Sequence, residues 1–226
     1  MGRPSTPLIS KDATIKAALG IIDEDGIDSL SLPRLARELN VKAPSLYHHF
    51  SDKDEILAAV AQAIVAKTPL PRKPSQNDWA EWFTQLALNF RASVLRHRNA
   101  APILLRFMPR DLLTEMYEQA AAYLSDCGVP VELHVQILDG LEKVSLGAAI
   151  AEAMRPPSRA RVRFEHAEPE RFPALAAAGA ANQLNTKQIF EHTVRSYLLG
   201  VAHFGNIESE AGASDPASDA DLARTA

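Results

Sequence analysis

The apolar residues of this chain recur mostly at steps of three and four, the spacing that places side chains on one face of an α-helix. Within residues 12–22, the residues at this spacing are Ala13, Ile15, Ala18, Leu19 and Ile22. Alternating apolar and polar runs, which would indicate β-strands, are nearly missing from the sequence. The pattern therefore predicts an all-α protein.

Turn and cap signals predict two short helices within residues 31–50, with a longer helix on either side. Ser31 is placed to cap the first short helix, and Asn40 can take the left-handed conformation that ends it. Pro44 opens the second, at about 43–49, and Asp52 caps the next helix, at 53–67. The order matches a three-helix helix-turn-helix domain.

A proline-rich stretch at 68–75 separates this region from a longer one. Beyond it the spacing predicts a short Ala-rich helix near 169–180 and a loop at 155–168. The longer helices are predicted at about 77–97, 100–106, 110–127, 130–154 and 186–205. We therefore expect a first domain with the helix-turn-helix order at 8–68, a larger helical domain at 76–206, and a disordered acidic tail at 207–226.

Composition supports a globular protein, since 46% of the 226 residues are apolar and 23% are charged. The apolar runs fall short of the roughly 20 residues that a membrane span needs, and no signal peptide is recognisable. Cys127 is the single cysteine, so no internal disulfide or thiolate zinc cluster can form. We expect a cytoplasmic protein with no membrane partner, no metal and no cofactor.

The net charge of −4 depends on the C-terminal end of the chain. Residues 206–226 hold five acidic residues and one arginine, and the remaining residues hold 23 basic and 23 acidic side chains. No overall positive field therefore attracts nucleic acid. Any DNA binding must come from the local placement of a few cations.

The two short helices have the order of a helix-turn-helix, in which the second helix enters the major groove. Leu46 and Phe50 are four residues apart and are expected to face the core. Polar groups between them remain free to contact phosphates and bases, while Ala43, Pro44 and the Tyr47 ring can pack on thymine methyl groups. Helices in this order also occur in proteins that never contact DNA, so the spacing alone leaves both possibilities open.

The same residues resemble the N-terminal domain of TetR-type transcriptional regulators. The resemblance runs through Gly26–Ser31, Leu35-Ala36, Leu39–Val41, Pro44–Phe50 and Asp52–Leu57. It implies an all-helical homodimeric repressor with a variable ligand-binding and dimerisation domain. The DNA-binding residues that the pattern and the resemblance together predict are Ser31, Arg34, Lys42, Ala43, Pro44, Ser45, Tyr47, His48, His49 and Lys53.

The second region is similar, more weakly, to the tetracycline-repressor subgroup, with Phe90-Arg91 and the break at Asp126–Gly128 in the expected places. The residues that define tetracycline and magnesium binding differ: Leu86 replaces an asparagine and Leu104 replaces a histidine. In the DNA-reading part, Ala43 replaces a glutamine and Pro33 an arginine. Neither the drug nor the operator sequence can therefore be transferred to this chain.

Apolar residues at helical spacing in the second region form a core, and the resemblance implies that some of them line a ligand cavity. Glu142 is a polar group in an otherwise apolar helix, and it either orients a ligand or lies at a dimer interface. Small residues in the helices at about 130–154 and 186–205 favour a homodimer through both. The predicted ligand-binding residues are Leu86, Phe90, Leu104, Phe107, Met108, Leu112, Met116, Leu138 and Glu142.

The sequence thus predicts a ligand-responsive repressor that binds near-palindromic double-stranded operator DNA as a homodimer and is released by a small apolar molecule. The second hypothesis is an enzyme. The sequence offers no nucleophile elbow, no glycine-rich phosphate loop and no His-Glu-x-x-His motif to support it. A third reading is a helical ligand-binding module that has lost its DNA role, which the changes at Pro33 and Ala43 keep open. The sequence leaves the effector and the regulated genes unidentified.

Overall fold

The structure is a computed structural model that describes residues 10–72, 78–155, 164 and 167–212, with side chains described as far as Gly205. All the regular structure within these residues is helical, which confirms the predicted all-α class. The α-helices are Lys11–Asp25 (α1), Leu32–Glu38 (α2), Lys53–Ala66 (α3), Trp79–Arg96 (α4), Ile103–Arg106 (α5), Arg110–Asp126 (α6), His134–Ala153 (α7), Pro173–Ala181 (α8) and Thr186–Gly212 (α9). Short 3-10 helices lie at Ile27–Ser29, Ala43–His48, Arg98–Ala100 and Val131–Leu133.

The ends of the N-terminal helices follow from their local sequence. The Ser31 hydroxyl accepts a hydrogen bond from the Arg34 amide at 3.3 Å, and the Asp52 carboxylate accepts one from the Glu55 amide at 2.8 Å. Asn40 has φ 52°, in the left-handed region, and it ends α2 as predicted. The predicted caps and stop are therefore confirmed.

Three helices differ from the sequence prediction. Residues 43–49 were expected as a short helix, and the structure gives a 3-10 helix over Ala43–His48, closed by hydrogen bonds between residues three apart. The helix expected at 100–106 is divided, because Pro102 has no amide hydrogen to continue the backbone ladder. The last helix runs on to Gly212, since no proline interrupts it before that point. The sequence predicts a disordered acidic tail at 207–226; its first six residues belong to this helix instead, and residues 213–226, like most of the predicted loop at 155–168, lie outside the described residues.

Two apolar clusters hold the helices together. One joins α4, α6, α7 and α9 through buried residues such as Phe83, Leu124, Ile137 and Leu198. The other begins with the N-terminal helices and continues through Leu104 and Ile150 into the second region. The N-terminal helices therefore share a close-packed core with the end of α7.

Within the described ranges, no helix has both the length and the apolar content that crossing a membrane requires.

Candidate DNA-binding surface and ligand cavity

The helix-turn-helix is anchored by two side chains that point inward. Leu46 is 0% exposed and Phe50 is 1% exposed, as their spacing predicted. The amide of Val41 donates to the Ala36 carbonyl at 2.9 Å, which folds the turn back against α2. These contacts fix the 3-10 helix Ala43–His48 on the surface of the N-terminal region.

The predicted DNA-binding side chains before and between the two anchors are exposed or half-buried. Tyr47 is 57% exposed, which is unusual for a large aromatic ring on a folded surface. The other predicted residues of this segment are Lys42, Pro44 and His48, which are exposed, and Ala43, Ser45 and His49, which are half-buried. The structure thus brings all seven together on one short segment.

The three remaining predicted DNA-binding residues have partners within the protein. The Arg34 guanidinium forms an ion pair with Asp25, and the Lys53 ammonium donates to the Ile27 carbonyl at 3.2 Å. The Ser31 hydroxyl accepts from the Arg34 amide, and its own hydrogen stays available to donate. Arginine has five donors and lysine three, so both cations retain donors for a phosphate beside these contacts.

A cavity of about 460 Å³ lies in the second region, between α4, α6, α7 and the segment that follows α3. Six of the nine residues predicted to bind a ligand line it: Leu86, Phe90, Met108, Met116, Leu138 and Glu142. Methionine side chains in such a wall adapt their shape readily to a ligand. The structure therefore supplies a site of ligand size at most of the predicted positions.

The other three predicted residues lie outside the lining of this cavity. Leu104 is 0% exposed and belongs to the core that joins the two regions. Phe107 and Leu112 pack against the same core. On α6, Leu113 is part of the cavity lining, whereas its neighbour Leu112 is not. The predicted ligand-binding role of these three residues stays a prediction.

Sequence reasoning missed the aromatic side of the cavity. The Trp82 ring lies edge-on to Phe83, with centroids 4.9 Å apart, and 5.1 Å from the ring of Tyr123. Trp82 and Phe83 precede Leu86 by four and three residues on α4, so stepping back along the same helical face would have found them. Tyr117 lies beside Met116 on α6 and also lines the cavity.

Glu142 is the centre of the polar contacts in the cavity. Its carboxylate accepts a hydrogen bond from the Tyr117 hydroxyl and an ion-pair contact from Arg110 at 3.2 Å. Burial first, and then the hydrogen bond to Glu142, raise the pKa of the Tyr117 hydroxyl well above its ordinary value. Tyr117 therefore stays protonated at neutral pH and acts as a donor to the carboxylate.

The segment between α3 and α4 forms part of the cavity wall through Thr68, Leu70 and Pro71. The Trp82 indole donates to the Pro71 carbonyl at 3.2 Å, and the Asn89 amide donates to the Pro69 carbonyl at 2.7 Å. One part of the cavity wall is thus the segment of chain that leads out of the helix-turn-helix region.

A second polar link joins the two regions through the turn that follows α4. The Asn99 amide donates to the Asp23 carbonyl at 2.8 Å, while the Arg98 guanidinium donates to the Glu152 carbonyl at 2.7 Å. The Glu152 carboxylate is held in turn by the Arg91 guanidinium in a nearly buried pair. The end of α1, the turn and the end of α7 are therefore fixed relative to one another.

No group of three or more His, Cys, Asp or Glu side chains in the described part of the chain is arranged to hold a metal ion.

Comparison with known families matches both regions. Residues 15–60 match the family of bacterial regulatory proteins called tetR, and residues 70–204 match the tetracyclin repressor-like C-terminal domain. The chain therefore belongs to the TetR family, with a C-terminal domain of the tetracycline-repressor type. Members of this family are ligand-responsive DNA-binding repressors that bind operators as dimers, and this chain is a transcription regulator of that kind.

Individual relatives agree with this assignment. Tetracycline repressor protein class E from Escherichia coli is 31% identical over 149 residues, which cover 64% of this chain and 69% of the relative. The crystal structure of apo ActR from Streptomyces coelicolor has a TM-score of 0.73 at 25% identity, covering 90% of this chain and 100% of that chain. The structure of ActR in complex with actinorhodin has a TM-score of 0.70 at 26% identity, covering 92% and 99%.

Proposed function

We propose that residues 8–68 of this repressor bind a near-palindromic operator through the surface Ser31–Lys53, and that residues 76–206 bind the effector and the second subunit. The exposed Tyr47 and its neighbours Lys42, Pro44 and His48 support the first part. In a dimer, two such surfaces read successive major grooves about 34 Å apart. Phosphate contacts by Arg34 and Lys53 set the register, while Tyr47 and the half-buried Ala43 and Ser45 face base edges.

The proposed release mechanism rests on one observation: the segment after α3 forms part of the cavity wall. A molecule that fills the space beside Leu70 and Pro71 displaces this segment. Since Trp82 and Asn89 hold the segment from α4, the displacement is transmitted to the helix-turn-helix region. A difference of about 1–3 kcal/mol in effector affinity between the two shapes is typical of such coupling.

We also propose that the second subunit packs on α7 and α9. Val135 on α7 is 76% exposed in the single chain, and Leu199 and Phe204 on α9 are 56% and 66% exposed. Apolar side chains of this size on two neighbouring helices favour burial against another protein surface. A second copy of the chain is the partner, since an isologous interface sets the two DNA-binding surfaces in two-fold symmetry.

No catalytic role is proposed, because the family and its relatives are transcription regulators. The cytoplasm is the proposed location, since a repressor acts where the DNA is.

Selection of random duplexes by the purified full-length protein tests the DNA-binding part. The enriched pool is sequenced after binding at low and at moderate salt. A two-fold symmetric consensus with half-sites one helical turn apart is expected. Cooperative thermal unfolding shows that the preparation is folded. If such a preparation enriches no sequence even at low salt, the protein is a helical ligand-binding module without a DNA role.

A further inference from the structure

Ser145 is a buried polar side chain on the cavity wall. It lies on α7, is 5% exposed, and lines the cavity. Its hydroxyl oxygen has no hydrogen-bond partner among the residues that the structure describes. A buried hydroxyl without a partner is unfavourable in a folded protein, so its retention here indicates a partner from outside the chain.

Glu142 precedes Ser145 by three residues on α7, so the two side chains lie on the same helical face, one turn apart. Both line the cavity, and the Glu142 side chain is only 17% exposed. An ionised carboxylate accepts hydrogen bonds and donates none, and a serine hydroxyl can also accept. Together they form an acceptor pair, Ser145 and Glu142, on the α7 side of a mostly apolar wall.

The charged side chains that line the cavity are both acidic. Among its described lining residues are two acids, Asp126 and Glu142, and no lysine, arginine or histidine. Arg110 contacts Glu142 from outside the lining, and its side chain is 72% exposed. A negative charge that enters this space meets the Glu142 carboxylate, while the only cation beside that carboxylate in the described contacts, Arg110, is already paired with it and lies mostly in solvent.

We propose that the cavity selects flat aromatic molecules that carry a hydrogen-bond donor and no negative charge, with the donor bound by the acceptor pair Ser145 and Glu142. This inference rests on the proposed effector role of the cavity and specifies its ligand class. The aromatic walls from Trp82 and Phe90 receive the ring system, since aromatic rings favour edge-on and offset contacts. The donor then fixes the orientation of the ring between α4 and α7.

Three fluorescent probes with one ring system test the proposal: 2-aminoanthracene, 2-methoxyanthracene and anthracene-2-carboxylate. The first offers a donor without charge, the second no donor, and the third a negative charge. Titration of the full-length protein at neutral pH gives each Kd. The amine is expected to bind about tenfold more tightly than the methoxy compound, the factor that one hydrogen bond supplies. The carboxylate is expected to bind at least tenfold more weakly than the methoxy compound.

Two variants assign the preferences to residues. Ser145→Ala removes the unpartnered hydroxyl and leaves the helix and cavity walls intact. It is expected to reduce the preference for the amine over the methoxy compound to about twofold while keeping the Kd of the methoxy compound. Glu142→Gln keeps an acceptor for Tyr117 and removes the charge, so the carboxylate probe is expected to gain about tenfold. Unchanged preferences in both variants would overturn the proposal.

The outcome for the ligand class is separate from that for DNA binding. The same preparation is assayed on the selected operator duplex in parallel. If none of the three probes binds while the duplex is still bound specifically, the ligand class is wrong and the repressor assignment stands. If the probes bind with the expected order and no duplex is bound, the cavity assignment stands and the DNA-binding role fails.

Discussion

The imidazole Nδ1 of His97 lies 2.8 Å from the Oδ2 atom of Asp23, and this contact connects the end of α1 to the turn after α4. The side chains are 19% and 32% exposed, so solvent screens the interaction only in part. Asp23 belongs to the helix-turn-helix region and His97 to the second region, so the contact joins the two regions directly. The pair therefore stabilises one arrangement of the two regions.

A double-mutant cycle measures the interaction energy between the Asp23 and His97 side chains. Asp23→Ala and His97→Ala are each expected to lower the free energy of unfolding, and the double variant by less than their sum. The expected interaction energy is about 1 kcal/mol, the usual value for a hydrogen bond of this exposure. Urea unfolding of the four proteins, followed by circular dichroism, gives the cycle.

The control cycle combines Asp23→Ala with Asn99→Ala. The Asn99 amide donates to the backbone carbonyl of Asp23, which the alanine variant retains. The effects of these two changes are therefore expected to add within about 0.5 kcal/mol. Equal interaction energies in both cycles would show that the His97 side chain makes no specific contribution.

Local signals in the sequence were sufficient to predict the N-terminal region. The caps Ser31 and Asp52 and the left-handed Asn40 depend on neighbours three or four residues away, which a sequence shows directly. The inward side chains Leu46 and Phe50 also followed from helical spacing.

The cavity could be predicted only in part, because its walls come from helices far apart in the chain. Spacing cannot show that Leu113 rather than Leu112 lines the cavity, nor that Leu104 lies in the core between the regions. Tyr117 and Glu142 are 25 residues apart, and only the packing of α6 on α7 brings them into contact. Long-range contacts of this kind leave no periodic trace in the sequence.

The exposed ring of Tyr47 provides a direct test of the DNA-binding surface. Tyr47→Ala is expected to reduce affinity for the selected operator about tenfold or more, because it removes a contact of the 3-10 helix with DNA. Since the ring is 57% exposed, the free energy of unfolding should change by less than about 0.5 kcal/mol. Fluorescence anisotropy with a labelled duplex measures the affinity, and Tyr47→Phe separates the hydroxyl from the ring. Unaltered specific binding by Tyr47→Ala would contradict the proposed surface.

Leu199 on α9 tests the proposed dimer. Leu199→Glu is expected to convert the dimer into monomers, because a carboxylate buried between two copies lacks a partner. Analytical ultracentrifugation measures the mass, and operator binding should fall with it. Leu105→Glu is the matched control, since Leu105 is 64% exposed on α5, a helix outside the proposed interface. Dimers that persist in Leu199→Glu, or dissociate equally in both variants, would rule out this interface.

Gly140 is the position at which α7 makes room for a side chain of α9. A Cβ atom at this position would overlap the Tyr197 hydroxyl, which donates to the Gln136 carbonyl. Gly140→Ala is therefore expected to lower the free energy of unfolding by about 1–3 kcal/mol, as overpacking usually does. In a Tyr197→Ala background the same change should become stabilising, because alanine favours a helix by up to about 1 kcal/mol over glycine.

Gly20 on α1 is the control for this effect. A Cβ atom there meets nothing within 4 Å, so Gly20→Ala should be stabilising with Tyr197 present. Thermal melts compare the stabilities of five proteins: the wild type, Gly140→Ala, Tyr197→Ala, the variant with both changes, and Gly20→Ala. If Gly140→Ala stabilises the chain with Tyr197 in place, the packing of α7 on α9 is looser than the structure shows.

The contact between Tyr117 and Glu142 predicts a dependence of stability on alkaline pH. Burial and the hydrogen bond raise the pKa of the Tyr117 hydroxyl above its ordinary value of about 10, so the unfolded chain loses this proton at a lower pH than the folded chain. The resulting stability is complete below about pH 10 and is lost as the pH rises toward the folded pKa. The Tm of the wild type is therefore expected to fall more steeply than that of Tyr117→Phe from about pH 9 to about pH 11. Thermal melts monitored by circular dichroism check this, and parallel curves would show that the Tyr117 hydroxyl does not donate to Glu142 in solution.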